Sequence, residues 1–301
     1  MKAIITGYFD HDGKLNLTER INRLIKHEID HLALRGDLSR PLIELSEGEL
    51  KKILLDTKAE RIKLSVIDTH IDAYDPYDDR IHKERIDEFK HMLRVADKLK
   101  VNMLFLKLPI VHDIIEEYDT IEKKLGDYVD QAQRAGKKIV LLQQPGVKIN
   151  TYVYIFKRMK SKYLSFAFDP VLIMNNNEST TTAYRLVRNQ ISVFFAHDAN
   201  HLGRPELIGF GKTDILKLLK KLVRDRYDGY IMVDHSFDPS IFEFKDEPKG
   251  FFKKLFSKDK KKRETRLREL TRHIFPNEET KNVTEDDILS NQIKLLKTLL
   301  K

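Results

Sequence analysis

The chain alternates short apolar runs with longer segments in which apolar residues recur at helical spacing. Runs of β-branched and aromatic residues are typical of strands buried on both faces, and their alternation with helices indicates a parallel sheet. We count eight runs, which predicts an α/β fold of the (β/α)8 or TIM barrel type. The runs are AIITGYFD from Ala3, HLALRGD from His31, IKLSVIDTH from Ile62, NMLFLKLP from Asn102, KIVLLQQPG from Lys138, LSFAFDP from Leu164, ISVFFAHD from Ile191 and YIMVDHSF from Tyr230.

Two helix ends carry local signals of their own. Ser46 followed by Glu49 has the pattern of a capping box, so we expect a helix to begin there. Gly136 stands just before the fifth run, where a glycine suits the left-handed cap that ends a helix.

The pattern changes after the eighth run. Residues 238–272 contain FFKKLF and KDKKKRETRLRELTR, and Glu285 to Lys301 has the spacing of an amphipathic helix. We therefore predict a barrel over residues 1–237 and a basic helical C-terminal extension over residues 238–301 that packs on the barrel. The alternative for the basic segment is an element that binds an anionic partner such as a membrane surface or RNA.

Composition narrows the class of protein. A chain of 301 residues that is 41% hydrophobic can form one large domain. No apolar run is long enough to span a membrane and no basic-then-apolar leader follows Met1, so we expect a cytoplasmic protein. The absence of cysteine excludes disulfides, thiolate nucleophiles and cysteine-ligated zinc.

The net charge of +8 raises the question of nucleic acid. The segment from Lys249 to Arg272 contains eleven Lys and Arg against three Asp and Glu, and this excess alone accounts for the whole net charge. A nucleic-acid-binding barrel would spread basic charge around its mouth. We therefore do not expect a nucleic-acid partner.

Polar side chains collect where most of the runs end. Active sites of (β/α)8 barrels lie at the carboxyl ends of the strands, so these residues predict a site. Sequences typical of nucleotide hydrolysis, dinucleotide binding and serine hydrolases, GxxxxGK[ST], GxGxxG and GxSxG, are absent. The strand-end residues are Asp10, His11, Arg35, Asp37, Asp68, His70, Asp72, Lys107, Gln143, Gln144, Asp169, His197, Asp198, His201, Asp234, His235 and Asp238.

Four of these residues are candidates for acid, base or metal chemistry. Asp169 and Asp234 each follow an unbroken apolar run, and could hold a divalent cation or act as general base and acid. His70 and His197 are the imidazoles that could complete such a site. The alternative for each histidine is a hydrogen-bonded structural role.

Three further residues are candidates for substrate binding. Arg35 and Lys107 suit a phosphate or carboxylate on a small substrate. Their alternative role is a salt bridge across the mouth. Gln143, at the end of the fifth run, is grouped with them.

Between the second and eighth runs the chain resembles the xylose isomerase-like barrel superfamily. That superfamily contains sugar and sugar-phosphate isomerases and epimerases, together with endonuclease IV-type enzymes. The resemblance rests on four stretches in this order: FDP from Phe168, AHDAN from Ala196, IGFGKTDILKLLKKL from Ile208 and RYDGYIMVD ending at Asp234.

The resemblance implies one divalent metal held by a glutamate, an aspartate, a histidine and a glutamate on strands five to eight. Asp169 and Asp234 stand at the second and fourth of these positions, but Leu142 and Phe195 occupy the other two. His197 stands where the family has a lysine. We therefore expect no tightly bound metal, although Mn, Mg or Zn on the two aspartates stays open.

Taken together, the sequence favours a sugar or sugar-phosphate isomerase or epimerase that moves a proton next to a carbonyl. Its partner would be a small carbohydrate or phosphosugar, and a homo-oligomer stays open. The alternative is an inactive barrel that serves as a binding or regulatory protein, and endonuclease IV-like DNA repair is disfavoured. The assignment makes Asp169, Asp234 and His197 catalytic and Arg35, His70, Lys107 and Gln143 substrate-binding.

Overall fold

The computed structural model describes residues 3–10, 13–38, 40–233, 272–277 and 283–300. The eight barrel strands are β1 (Ile4–Thr6), β2 (His31–Leu34), β3 (Lys63–Asp68), β4 (Met103–Leu106), β5 (Lys138–Leu142), β6 (Leu164–Phe168), β7 (Ile191–Ala196) and β8 (Tyr230–Val233). The helices used below are α1 (Leu17–Lys26), α2 (Glu47–Ala59), α3 (Asp79–Lys98), α4 (Ile114–Arg134), α5 (Ile149–Met159), α6 (Pro170–Asn175), α7 (Thr180–Val187), α8 (Ile215–Arg224) and α9 (Glu285–Leu299).

The strands form one parallel sheet in the order β1-β8-β7-β6-β5-β4-β3-β2. This confirms the predicted (β/α)8 barrel, which is nearly closed. Two short antiparallel ladders lie outside the sheet, Gly36–Asp37 with Arg40–Pro41 and Asp198–Ala199 with Pro205–Glu206. Both ladders belong to loops at the carboxyl end of the barrel.

The barrel closes between β1 and β2 through side-chain as well as backbone contacts. The Ala33 amide donates to the Gly7 carbonyl at 2.9 Å. Arg20 of α1, only 1% exposed, donates to the carbonyls of Tyr8, Ala33 and Gly36 at 2.9, 3.0 and 2.9 Å. One buried guanidinium therefore joins the two strand ends where the ladder is interrupted.

Side-chain alternation divides the apolar residues into two cores. The larger core packs the outer face of the sheet against the helices. A separate cluster fills the barrel interior with one residue from each of β2 to β8: Ala33, Val66, Phe105, Val140, Ala167, Val193 and Met232. The interior is therefore a packed core and not a channel.

The helix α9 closes the ring of helices beside α1. Leu289, Ile293 and Leu296 join the larger core. The Ile208 amide donates to Gln292 Oε1 at 2.6 Å, which ties the helix to the loop after β7. The predicted boundary at residue 237 lies outside the described residues, so the division into barrel and extension stays a prediction.

The local helix signals are confirmed. Ser46 caps α2 in a reciprocal capping box with Glu49, and Gly136 has a positive φ of 65° just after α4. The short helix α6 was not predicted. Among the described residues, no helix has the length and apolar character that a membrane span requires.

Candidate functional site

The mouth of the barrel lies one layer beyond the interior cluster. Side chains two positions apart on a strand point to the same side of the sheet. The residues two positions after the interior-cluster residues of β2 to β7 therefore point toward the mouth, which gives six strand-end side chains. Tyr8 packs against the interior cluster from the end of β1. The six residues are Arg35, Asp68, Lys107, Leu142, Asp169 and Phe195.

Asp169 and His197 meet at the ends of the neighbouring strands β6 and β7. His197 Nε2 lies 2.8 Å from Asp169 Oδ1, and their side chains are 17% and 13% exposed. Asp169 also caps α6, because the same oxygen accepts the amides of Val171 and Leu172, both at 2.9 Å. An ionised carboxylate only accepts, so Nε2 carries the proton in this contact. The pair is therefore fixed in orientation and still accessible.

The other two positions of the family's metal site are apolar. Leu142 and Phe195 pack against the interior cluster, and the Phe195 ring stacks on Phe105 with centroids 6.1 Å apart. The described residues contain no group of three or more His, Asp or Glu side chains able to hold a metal ion. A hydrocarbon wall supplies no lone pair to a hard cation. The donor set in the described part of the mouth therefore does not fit the family's four-ligand site.

Arg35 is part of the salt bridge that the sequence left as its alternative role. Its Nε and Nη2 donate to the two oxygens of Asp10 at 2.6 and 2.8 Å, and its guanidinium lies 4.9 Å from the centre of the Tyr8 ring. Burial raises the pKa of the Asp10 carboxyl, but the hydrogen bonds and charge of Arg35 outweigh it, so the pKa lies below its ordinary value. Contact of Arg35 with a substrate stays a prediction.

His70 and Lys107 stand at other points of the rim. His70 Nε2 lies 2.8 Å from the Arg35 carbonyl, so these two predicted residues share one corner. Lys107 Nζ donates to Asp72 Oδ1 at 2.6 Å, and this hydrogen bond lowers the pKa of the Asp72 carboxyl. Both contacts belong to the polar rim and leave room for solvent, since His70 and Lys107 are exposed or half-exposed.

Gln143 is 5% exposed, and neither its Oε1 nor its Nε2 has a hydrogen-bond partner among the residues that the structure describes. It directly follows Leu142, so strand alternation places it on the opposite face of the strand end from Leu142. A buried amide without partners is uncommon and costs about 1–3 kcal/mol for each group left unpaired. The residue is therefore a place where a water or a ligand hydroxyl would be stabilised.

Asp198 organises the loop after β7. Its carboxylate, 3% exposed, accepts the amides of Ala199, Gly209, Gly211 and Thr213 and the hydroxyl of Thr213, all between 2.7 and 3.2 Å. A Cβ on Gly211 would come within 2.1 Å of Asp198 Oδ1, which explains the glycine. The loop that carries His197 at its start is therefore anchored on one carboxylate.

The structure brings two pairs of the predicted residues into contact, and one predicted residue lies outside the part of the chain that it describes. Asp169 and His197 are in contact, while Arg35 and His70 meet at the β2 side of the mouth. Asp234, predicted as a catalytic and metal residue, lies outside the described residues.

Three residues of the site region were missed by the sequence reasoning: Tyr8, Arg20 and Arg40. Tyr8 OH donates to Asp68 Oδ2 at 3.4 Å, and burial, followed by the charge of Asp68, raises the Tyr8 pKa well above its ordinary value. Arg20 had a usable signal, because it occupies a core-facing position of α1 between Leu17 and Ile21. No sequence signal indicated Arg40, because a hairpin brings it to the site.

Comparison with known proteins agrees with the barrel fold. The family model described as xylose isomerase-like TIM barrel matches residues 27–274. A D-psicose 3-epimerase structure with D-tagatose, from Clostridium cellulolyticum H10, superposes with a TM-score of 0.69 at 13% identity over 100% of both chains. An L-ribulose 3-epimerase superposes with a TM-score of 0.69 at 12% identity, covering 100% of this chain and 95% of the other.

A third structure, a D-tagatose 3-epimerase-like protein, has 20% identity and a TM-score of 0.62, with 77% of this chain and 90% of the other covered. The search of curated proteins by sequence gives no match. At these identities the structural matches establish the fold, and the chemistry must be argued from the side chains.

Proposed function

Because the chain belongs to the xylose isomerase-like TIM barrel family, we propose that it acts on a small carbohydrate as an isomerase or epimerase. The reaction is the transfer of a proton at the carbon next to a carbonyl. The observation that carries the proposal is the 2.8 Å contact between His197 Nε2 and Asp169 Oδ1 at the mouth. Similarity to sugar epimerase structures supports the substrate class.

Asp169 is the general base in this proposal. Its Oδ1 accepts hydrogen bonds from His197 and from the start of α6, whereas Oδ2 receives none from the described residues. Oδ2 takes the proton from the substrate carbon, and the electron pair of that C–H bond moves toward the carbonyl oxygen. Delivery of a proton from solvent to the opposite face of the same carbon gives an epimer, and return of the proton from Asp169 to the neighbouring carbon, with a proton moving between the two substrate oxygens, gives an isomer.

His197 has a positioning role, and the charge of the intermediate is balanced by other residues. Its N–H holds the carboxylate in one orientation, which lowers the reorganisation needed for proton transfer. Negative charge on the carbonyl oxygen would be met by the cations of the rim, for which Arg35 and Lys107 are the proposed groups. Leu142 and Phe195 replace two of the family's four metal ligands, so the proposed proton transfer uses protein side chains and no metal ion.

The test measures exchange of substrate hydrogen with solvent. The full chain is incubated in D2O with unphosphorylated ketoses such as fructose, and NMR follows loss of the signal at the carbon next to the carbonyl. We expect exchange in the wild type and its loss in Asp169→Asn, in which asparagine still serves as a helix cap. His112→Gln is the matched control, since His112 is exposed on the β4–α4 loop at the same end of the barrel.

Two results would contradict the proposal. One is the absence of exchange with every ketose or ketose phosphate offered, with or without added Mn²⁺ or Mg²⁺. The other is full activity in both Asp169→Asn and His197→Gln, which would separate the reaction from this pair.

A second function is favoured by the apolar positions Leu142 and Phe195. A barrel that binds a sugar without turning it over needs the pocket and the polar rim, but not a site that stabilises an oxyanion. Calorimetry distinguishes the two functions on the same protein. Saturable sugar binding without solvent exchange would indicate a binding or regulatory protein and not an enzyme.

A further inference from the structure

A pocket of about 390 Å³ lies beside the mouth, bordered by the loops that follow β1 and β2. Three arginines line it, Arg20, Arg35 and Arg40, together with His70. Among the described lining residues, the one carboxylate is that of Asp10. The volume of the pocket is in the range of small-molecule sites, about 300–1,000 Å³. The lining is therefore cationic and large enough for a charged group and part of a sugar.

Arg20 supplies a buried positive charge at the base of this pocket. Among the described residues, its hydrogen-bond acceptors are all backbone carbonyls and none is a carboxylate. The nearest acidic groups, Asp10 and Asp37, act on it only through longer-range charge interactions. A buried guanidinium without a counter-ion in contact is costly, so an anion in the adjoining cavity would offset its charge.

Arg35 and Arg40 are the two arginines placed to contact a ligand. Arg35 is held by Asp10, and His70 holds the backbone at the same point. Arg40 is half-exposed and pairs with Glu49 at the start of α2. The hairpin that carries Arg40 closes tightly over Gly36, because a Cβ there would come within 2.1 Å of the Arg40 carbonyl.

We propose that this pocket binds the phosphate group of a phosphorylated sugar, whose carbon chain extends into the barrel mouth. The proposal rests on the function proposed above and specifies its substrate class. Arg35 lines the pocket and is also one of the strand-end residues of the mouth, so the two spaces share this side chain. Planar guanidinium groups with several donors match the oxygens of a phosphate.

The experiment titrates the full chain with inorganic phosphate, with fructose 6-phosphate and with fructose by calorimetry. We expect the two phosphate-containing probes to bind and the sugar phosphate to bind more tightly than either fructose or phosphate alone. Arg40→Gln should weaken binding of both phosphate probes about tenfold, the loss of one hydrogen bond to a charged group.

Two variants sharpen the test. Arg224→Gln is the matched control, because Arg224 is an exposed arginine paired with Asp225 at the end of α8, the opposite end of the barrel from the mouth. It should bind phosphate as the wild type does. Glu49→Gln keeps the capping box of α2 but frees Arg40 from its carboxylate, so phosphate binding should become tighter.

The proposal is overturned if inorganic phosphate and fructose 6-phosphate fail to bind. It is equally overturned if Arg40→Gln binds them as Arg224→Gln does, because the phosphate would then lie elsewhere. Solvent exchange is measured separately, with ketoses and with ketose phosphates. Phosphate binding without exchange contradicts the enzymatic function alone, and exchange without phosphate binding contradicts this pocket alone.

Discussion

The anchoring of the β7 loop on Asp198 makes a prediction that the structure allows to be worked out in detail. Oδ1 of Asp198 accepts from Ala199 and Thr213, and Oδ2 accepts the amides of Gly209 and Gly211 at 3.0 and 2.9 Å. The substitution Asp198→Asn preserves the shape of the side chain. The new amide NH2 replaces one of the two carboxylate oxygens. Because an NH2 group only donates, it then faces N–H or O–H groups that also donate.

The expected loss follows from the number of contacts that cannot be remade. Whichever way the amide turns, two or more hydrogen bonds to a charged acceptor are lost, and each contributes about 1.5–3 kcal/mol. We therefore expect the free energy of unfolding to fall by about 3–5 kcal/mol, since part of the loss is recovered when the loop opens to water. The midpoint of thermal unfolding should fall by about 1.5–2 °C for each kcal/mol.

The assay is chemical denaturation followed by circular dichroism, with scanning calorimetry as a second measurement. Asp214→Asn is the matched control, because Asp214 ends the same loop, is half-exposed and pairs with Lys217 at 2.8 Å. Asn tolerates the left-handed backbone of that position, so its effect should stay within about 0.5 kcal/mol. If Asp198→Asn loses less than about 1 kcal/mol, the reasoning about this anchor is refuted.

Three further predictions follow from other buried polar groups. Gln143→Leu should raise the free energy of unfolding by about 1–3 kcal/mol in denaturation experiments, because it removes an unpartnered amide; a loss of stability would show that the amide is satisfied in solution. Arg20→Met should lower it by about 3–5 kcal/mol, because three carbonyls lose a buried donor; an unchanged unfolding midpoint in urea would contradict a role in closing the barrel. For Asp10, whose folded-state pKa lies below 3.8, the stabilisation is present above that value and is lost as the pH falls through the lower folded-state pKa. The difference in thermal midpoint between wild type and Asp10→Asn should therefore disappear in acid, and a constant difference at all pH values would exclude the Arg35 pair as its cause.

Much of the fold was predictable because continuous apolar runs directly indicate buried strands. Each of the eight runs contains a barrel strand, and the capping box at Ser46 marks the start of α2. The short helix α6 was missed although Asp169 and Pro170 form a standard helix start, an acceptor at the cap and proline in the first turn. The aspartate was interpreted as a catalytic or metal-binding candidate and not as a helix cap, although a cap and a general base can be the same residue.

The site was predictable as a set of residues but not as a set of contacts. Asp169 and His197 are 28 positions apart, and only the order of β6 and β7 in the sheet brings them together. The Arg40 contribution to the pocket depends on the hairpin at Gly36, whose geometry has no strong sequence pattern. Side-chain periodicity fixes faces of strands and helices, whereas the path of a loop depends on contacts across the whole barrel.

The distribution of charge around the mouth links the two proposals. The wall formed by Leu142 and Phe195 removes two donors where the family places a cation, so positive charge for a developing oxyanion must come from elsewhere. Among the described strand-end residues that point toward the mouth, the cations are Arg35 on the β2 side, with its neighbouring arginines, and Lys107 at β4. In the strand order, β2 is four strands from β6, so a ligand that contacts both Arg35 and Asp169 must cross the mouth. A sugar anchored by a phosphate in the arginine pocket meets this requirement, because its carbon chain then points toward the carboxylate. An unphosphorylated sugar lacks that anchor, and we expect it to react with a higher KM than its phosphate ester.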